Sequence, residues 1–344
     1  MNSFDTTFFD WGLFRRDVLR DVRLCVWFTL FAMGVNLLAA LIVQSVGMAA
    51  NPGVMDAIRE GLANGGLSEA TQGATDAMGS TLLVVATMAG AVAGPLVFLI
   101  YRKKRFFGDL ALPARERLTP AIFLFFLLGT QAVQCVYGYV ITFIDYLLKP
   151  TGVSVEGNYS GIIDQIMFNP LGLVYVIIVG PIFEELVFRG ALLGSLRKYG
   201  ENFAILLSSL IFGFFHMVVL QIPFGFFVGL LLGYVASRYS LRASIALHMI
   251  VNGLSALLSQ PNLIKADAVI ASLGIADIAL IACTVVFVIW VIVKRQGVSA
   301  RVRAGAAYYD GTYRIGFSSI PLWFYLILTG FVGVMQLIFL PGAI

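Results

Sequence analysis

Charge is scarce in this chain of 344 residues, with Asp, Glu, Lys and Arg making up 12% against 59% hydrophobic residues and a mean hydropathy of +0.91. That shortage excludes a soluble domain of this length, in which about a quarter of the residues would be charged. Cysteine is scarce as well. Cys25, Cys135 and Cys283 fall in separate apolar segments with no CxxC or metal-type spacing, which excludes a disulfide framework. Histidine occurs only twice, as His216 and His248. The basic residues sit at the ends of apolar segments and form no stretch of their own, so the net charge of +4 gives no reason to expect nucleic acid as a partner. Residues 1–21 mix acidic and basic side chains and lack the n-region and h-region of a cleavable signal peptide.

What the chain has in abundance is apolar runs of about 20 residues, the length at which a helix crosses a bilayer core of about 30 Å. Barrel strands would be shorter and would alternate apolar with polar residues, so the fold class is all-α, a polytopic membrane protein. Nine spans are expected, over residues 22–48, 81–101, 119–148, 171–196, 202–221, 224–239, 243–260, 274–293 and 319–340. Residues 1–21, with Phe8, Phe9, Trp11 and Phe14 among Arg15, Arg16 and Arg20, suit an amphipathic segment at the cytoplasmic interface. The Gly/Ala/Ser/Thr-rich stretch 49–80 reads as an exposed loop. Asn158-Tyr159-Ser160 is a glycosylation sequon, meaningful only in a eukaryotic host. Gly90-xxx-Gly94 followed by Pro95, and the ladder Gly225-xxx-Gly229-xxx-Gly233, strip helix faces to backbone and predict close helix neighbours.

With the N-terminus on the cytoplasmic side, nine crossings leave only Arg59, Lys149 and Lys265 of the 23 Lys and Arg on the opposite side, Arg189 lying inside the fourth span. Basic loops favour the cytoplasm, so the expected topology is N-terminus in, C-terminus out.

The fourth span holds Glu184, Glu185 and Arg189, and each such residue costs roughly 2.5–3.5 kcal/mol at the centre of a membrane helix. At 100° per residue Glu185 and Arg189 lie 40° apart and Glu184 and Arg189 lie 140° apart, so Glu185 pairs with the arginine and Glu184 is left free. A lone carboxylate in an apolar site is suited to take a proton from water; the competing reading makes both glutamates helix-bridging groups. Two further polar pairs each share one helix face, Phe212 with His216 and His248 with Asn252. Counting about 1.5 Å per residue places His216 on the order of 10 Å toward the far side from Glu184 and His248, a gap that helix tilt or a different start for the fifth span must close.

Glu184-Glu185-xxx-Arg189, Phe212-xxx-His216 and His248-xxx-Asn252, in this order and in separate spans, resemble the motifs of the CPBP family, the CaaX proteases and bacteriocin-processing proteins. The resemblance covers residues 171–258, including Pro181 and Phe188-Arg189-Gly190. It divides the chain into the segment 1–21, N-terminal helices over 22–170, a catalytic core over 171–258 and C-terminal helices over 259–344. It implies an intramembrane protease with an eight-helix-type core whose cavity opens toward the cytoplasm and the membrane. In that family pattern Glu184 activates the attacking water, His216 helps to hold it, and His248 and Asn252 stabilise the oxyanion. Glu185 and Arg189 are then a structural pair, with Phe212 as support. The implied partner is a peptide or membrane-protein substrate, lipidated or hydrophobic.

Two histidines and a glutamate can also make a catalytic zinc site, here Glu184, His216 and His248. The chain has no HExxH, and a ligating Glu184 would leave no separate base, so metal-independent catalysis without a cofactor is favoured. The rivals to a protease are a proton-coupled transporter using the same groups as a relay, which would call for paired interrupted helices, and a non-enzymatic immunity or binding protein.

Overall fold

Helix boundaries in the computed structural model follow local chemistry. It describes residues 10–50, 69–103, 115–151, 170–258, 267–306 and 311–339, with residues 53, 56, 59 and 309. Among these the regular structure is entirely helical: α1 (Trp11–Ala49), α2 (Glu69–Arg102), α3 (Pro120–Leu148), α4 (Pro170–Tyr199), α5 (Glu201–Phe215), α6 (Gln221–Arg238), α7 (Leu241–Leu258), α8 (Asp267–Val293), α9 (Arg295–Ala304), α10 (Thr312–Phe317) and α11 (Ile320–Phe339). Thr119 caps α3 by accepting from the Ile122 N–H, and Pro120 follows at the first helical position, where its missing N–H costs nothing. Ser240 caps α7 in the same way through the Ala243 N–H. Gly200, at φ +134°, makes the break between α4 and α5 that a residue with a side chain would resist.

The chain is an all-α polytopic membrane protein, and helices stand at all nine expected positions. By length and composition four of them, α1, α3, α4 and α6, are sufficient to cross a membrane, or five if the pair Ile281–Val293 and Arg295–Ala304, bent by 73°, is one span. In α2, α5, α7 and α11 the apolar stretch is shorter, at 10–17 residues. The fifth span is the clearest shift from expectation. Its helix stops at Phe215, because Met217 takes a left-handed conformation at φ +53°, so His216 caps the helix end instead of lying within the helix. The expected division after Asp21 falls inside one continuous 39-residue helix. Residues 1–9 and the sequon lie outside the described residues, as do 51–52, 54–55, 57–58 and 60–68 of the expected 49–80 loop. The end of that stretch is not a loop: α2 begins at Glu69, so residues 69–80 are helical, since their Ala, Glu and Gln favour a helix over the Gly-rich reading.

Packing is organised around α4 and α5. Phe188, Phe203, Phe212 and Tyr325, each at most 2% exposed, form a core with Val18, Val22 and Val26 of α1. A second core joins Phe126 of α3 to Leu232 of α6 and Leu247 of α7. Bare glycine faces let helices approach. An added Cβ at Gly213 of α5 would lie 2.6 Å from the Ile222 carbonyl oxygen and 3.0 Å from the Phe226 nitrogen of α6. Outward, α1 presents Phe31, Leu37 and Leu38, and α11 presents Ile327 and Phe331, all more than half exposed to the surroundings. Rows of large apolar side chains on the outside suit lipid and not water.

The polar residues expected in cytoplasmic loops meet at one end of the bundle. Glu201 pairs with Arg238 at 2.6 Å and accepts from the Ser237 hydroxyl at 2.6 Å, and Arg115 approaches it at 3.8 Å. The backbone N–H groups of Arg115 and Glu116 both donate to the Arg238 carbonyl. Asp21 accepts from Tyr199 at 2.8 Å and pairs with Lys198 at 2.6 Å, which ties α1 to the end of α4.

Candidate active site

Helix α4 carries the charged residues and is not a regular α-helix. It is α-helical over Pro170–Val174, widens to a π turn over Tyr175–Val179, returns to α over Gly180–Glu185 and widens again over Leu186–Leu193. Pro181 accounts for the first widening: its ring crowds the Ile177 carbonyl four residues back and supplies no N–H to it. In π register the donor for the Val176 carbonyl would be residue 181, again the proline. The Asn252 side-chain amide fills that vacancy, donating to the Val176 oxygen at 2.9 Å. Asn252 thus satisfies a backbone acceptor that would otherwise be orphaned in an apolar setting.

Glu185 is the centre of a closed network. It is fully buried, forms an ion pair with Arg189 at 2.8 Å between Oε1 and Nη1, and accepts from the Ser244 hydroxyl at 2.5 Å. His248 Nδ1 lies 3.0 Å from the same carboxylate. Because a carboxylate only accepts, Nδ1 carries the proton, and in the neutral imidazole Nε2 then presents a lone pair. Arg189 also lies over the Phe212 ring, 4.2 Å from its centroid, and reaches the Gly229 carbonyl at 3.4 Å. Gly229 permits this approach: an added Cβ would stand 3.3 Å from the guanidinium and 3.2 Å from Phe212.

Glu184 stands apart from that network. Its side chain is 20% exposed, and its carboxylate accepts no hydrogen bond from any described residue and lies 3.7 Å from His248 Nε2. Phe212 separates the two histidines, its ring meeting His216 edge-to-face at 4.9 Å and His248 at 6.0 Å. His216 has Nδ1 3.0 Å from the Phe212 carbonyl, and neither glutamate is paired with it. The structure therefore brings Glu184, Glu185, Arg189 and His248 into direct contact, and Phe212 stands between this group and His216. Asn252 is turned to the α4 backbone.

Glu184 faces a cavity of about 40 Å³ enclosed by α1, α2, α4 and the end of α5, with Asn36, Gly94, Tyr175, Phe188 and Phe215 among its walls. At roughly 10–15 Å³ for each water this holds about three waters, or the reacting part of a peptide. Glu184, His216 and His248 do not converge as three ligands, and no group of three His, Cys, Asp or Glu side chains among the described residues is arranged to hold a metal ion. Two participants were not evident from sequence. Ser244 lies one helical turn before His248, a spacing that places it on the same face, but a serine near a helix start carries no special signal. Tyr175 depends on the π turn, which shifts its ring relative to an ideal helix.

Comparison with known proteins agrees with this picture of the core. Residues 166–254 match the family model described as Type II CAAX prenyl endopeptidase Rce1-like. Over 74 residues the chain is 42% identical to a Bacillus subtilis (strain 168) protein named "Putative membrane peptidase YdiL". That stretch spans 21% of this chain and only 30% of the relative. No solved structure matches the chain.

Proposed function

We propose that this chain, a member of the CPBP family through the core it carries over residues 166–254, is an intramembrane endopeptidase that hydrolyses a peptide bond in the cavity beside Glu184. The observation that carries the reading is the division of labour between adjacent glutamates. Glu185 is saturated by Arg189, Ser244 and His248, whereas Glu184 has its acceptor atoms open to a water-sized space.

In this reading a water donates one proton to Glu184 and the other to the His248 Nε2 lone pair, leaving its own lone pair directed away from both. Glu184 takes the first proton as the water oxygen bonds to the scissile carbonyl carbon, and the carbonyl electron pair moves onto oxygen. When the C=O double bond reforms, the C–N bond breaks and the proton held by Glu184 passes to the departing nitrogen. His248 is kept in the right tautomer by Glu185, which is itself neutralised by Arg189. His216 and Asn252 act as positioning residues, one against the Phe212 carbonyl and the other on the π turn. No metal enters these steps. The substrate class is a lipidated or hydrophobic peptide, in keeping with the aromatic cavity wall and the apolar outer face of α1.

Purified protein tested against internally quenched peptides ending in a CaaX box, prenylated and unprenylated, is expected to cleave at least one. Glu184→Gln is expected to lose more than about a thousandfold in kcat while keeping its elution volume and Tm. Full activity in that variant would refute the assignment of Glu184.

A further inference from the structure

Helix α9 carries positive charge that the rest of the fold leaves unmatched. Lys294 at its start and Arg295, Arg301 and Arg303 within it are all exposed, and no acidic residue falls between Lys294 and Ala304. Other cations at this end of the bundle have carboxylates: Arg20 and Lys198 pair with Asp21, and Arg115 and Arg238 with Glu201. The four cations of α9 pair with no carboxylate among the described residues, and Arg303 reaches only the Ser299 hydroxyl, at 3.5 Å.

The place of α9 is set from both ends. It follows the apolar α8 after a bend of 73°, so the chain leaves a membrane span and turns to run near the membrane plane. At its other end the Asn202 side-chain amide donates to the Val302 carbonyl at 2.5 Å, and the Asn202 backbone N–H donates to the Gly305 carbonyl at 2.8 Å. These two bonds hold the last turn of α9 to the start of α5. Exposed indole rings mark the same level: Trp290, four residues before Lys294, with Trp11 and Trp323 at the starts of α1 and α11. Tryptophan favours the boundary between lipid tails and water. At about 100° per residue Val298 and Val302 form one stripe along α9, with Arg301 about 60° to one side of it and Arg295 and Arg303 about 20° and 100° to the other. An acidic protein would engage the cations alone. A bilayer surface engages the stripe as well, the valines entering the acyl boundary while the guanidinium groups stay with the phosphates.

We propose that α9 is a docking surface for anionic phospholipid headgroups, with Val298 and Val302 at the acyl boundary and Arg295, Arg301 and Arg303 on the phosphates. Lipid bound there braces the end of α8 against the start of α5. The inference does not depend on the peptidase reading.

The test titrates the full chain in nonionic detergent with phosphatidylglycerol or phosphatidylcholine of equal chain length and counts bound lipid by native mass spectrometry. Wild type is expected to bind phosphatidylglycerol at least about tenfold more tightly, since each cation beside an anionic surface is worth about fivefold. Arg295→Gln with Arg301→Gln and Arg303→Gln is expected to bring the two lipids within about threefold at an unchanged Tm. Arg15→Gln with Arg16→Gln and Arg314→Gln removes the same charge elsewhere at this end and is expected to keep the preference. Equal binding of both lipids by wild type, or an equal loss in the two triple variants, overturns the proposal. Displacement of phosphatidylglycerol at fixed ionic strength also overturns it, by glycerol 3-phosphate in favour of a soluble phosphate ligand and by polyglutamate in favour of an acidic protein. Should the α9 variant fail to purify, wild type carries the test. Its preference is expected to vanish between about 0.1 and 1 M salt, and a preference that salt leaves unchanged refutes the docking surface.

Discussion

Removing the Glu185 carboxylate separates folding from chemistry at this site. In Glu185→Ala the buried Arg189 guanidinium loses its 2.8 Å partner and keeps only the Phe212 face and a long contact to Gly229. Stripping one member from a buried ion pair costs about 3–5 kcal/mol, because the remaining charge stays desolvated. With an unfolding entropy of about 2.1 cal/mol/K per residue, that corresponds to a Tm about 4–7 °C lower for a chain of this length. Replacing the pair together, as Glu185→Met with Arg189→Met, removes the uncompensated charge and is expected to recover most of that loss. Activity is expected to stay low in both, since His248 loses the carboxylate that sets its tautomer in either background. Thermal unfolding of the detergent-solubilised protein, followed by labelling of the buried Cys25 thiol, reads the Tm directly. A single variant that melts within 1 °C of wild type, or a double variant no better than the single, refutes the reasoning that Glu185 serves chiefly to neutralise Arg189.

Two further outcomes follow from the geometry. Gly213→Ala places a methyl 2.6 Å from the Ile222 carbonyl oxygen, a backbone atom that cannot swing aside, and is expected to cost about 1–3 kcal/mol by forcing α5 from α6; an unchanged Tm would contradict the close approach. Cleavage is expected to persist in a strong chelator, with substoichiometric zinc by elemental analysis of the purified protein. A stoichiometric metal whose removal abolishes turnover, and whose return restores it, would replace glutamate-activated water with metal-bound water.

Sequence alone determined the class of the protein and much of its local grouping. Apolar runs with so few charges have no stable solution but helices in lipid, and the 40° spacing of Glu185 and Arg189 makes their pairing a property of one helix. The free position of Glu184 follows from the same geometry. The crossing of glycine faces was legible as well, since a row without side chains has value only where another helix comes close. Tertiary structure decided the rest, for reasons that no single helix contains. The π turn at Tyr175–Val179 arises where Pro181 denies its preceding carbonyls a donor, and its stability depends on an amide arriving from Asn252, 76 residues further on. Glu185 gains Ser244 and His248 from another helix, and Phe212 stands between imidazoles that sequence counting set about 10 Å apart in depth. The cavity beside Glu184 needs walls from α1 and α2, whose own sequences give no sign of it. Periodicity reports which side of a helix is polar, whereas only packing decides which polar groups are spent on each other and which remain open to water.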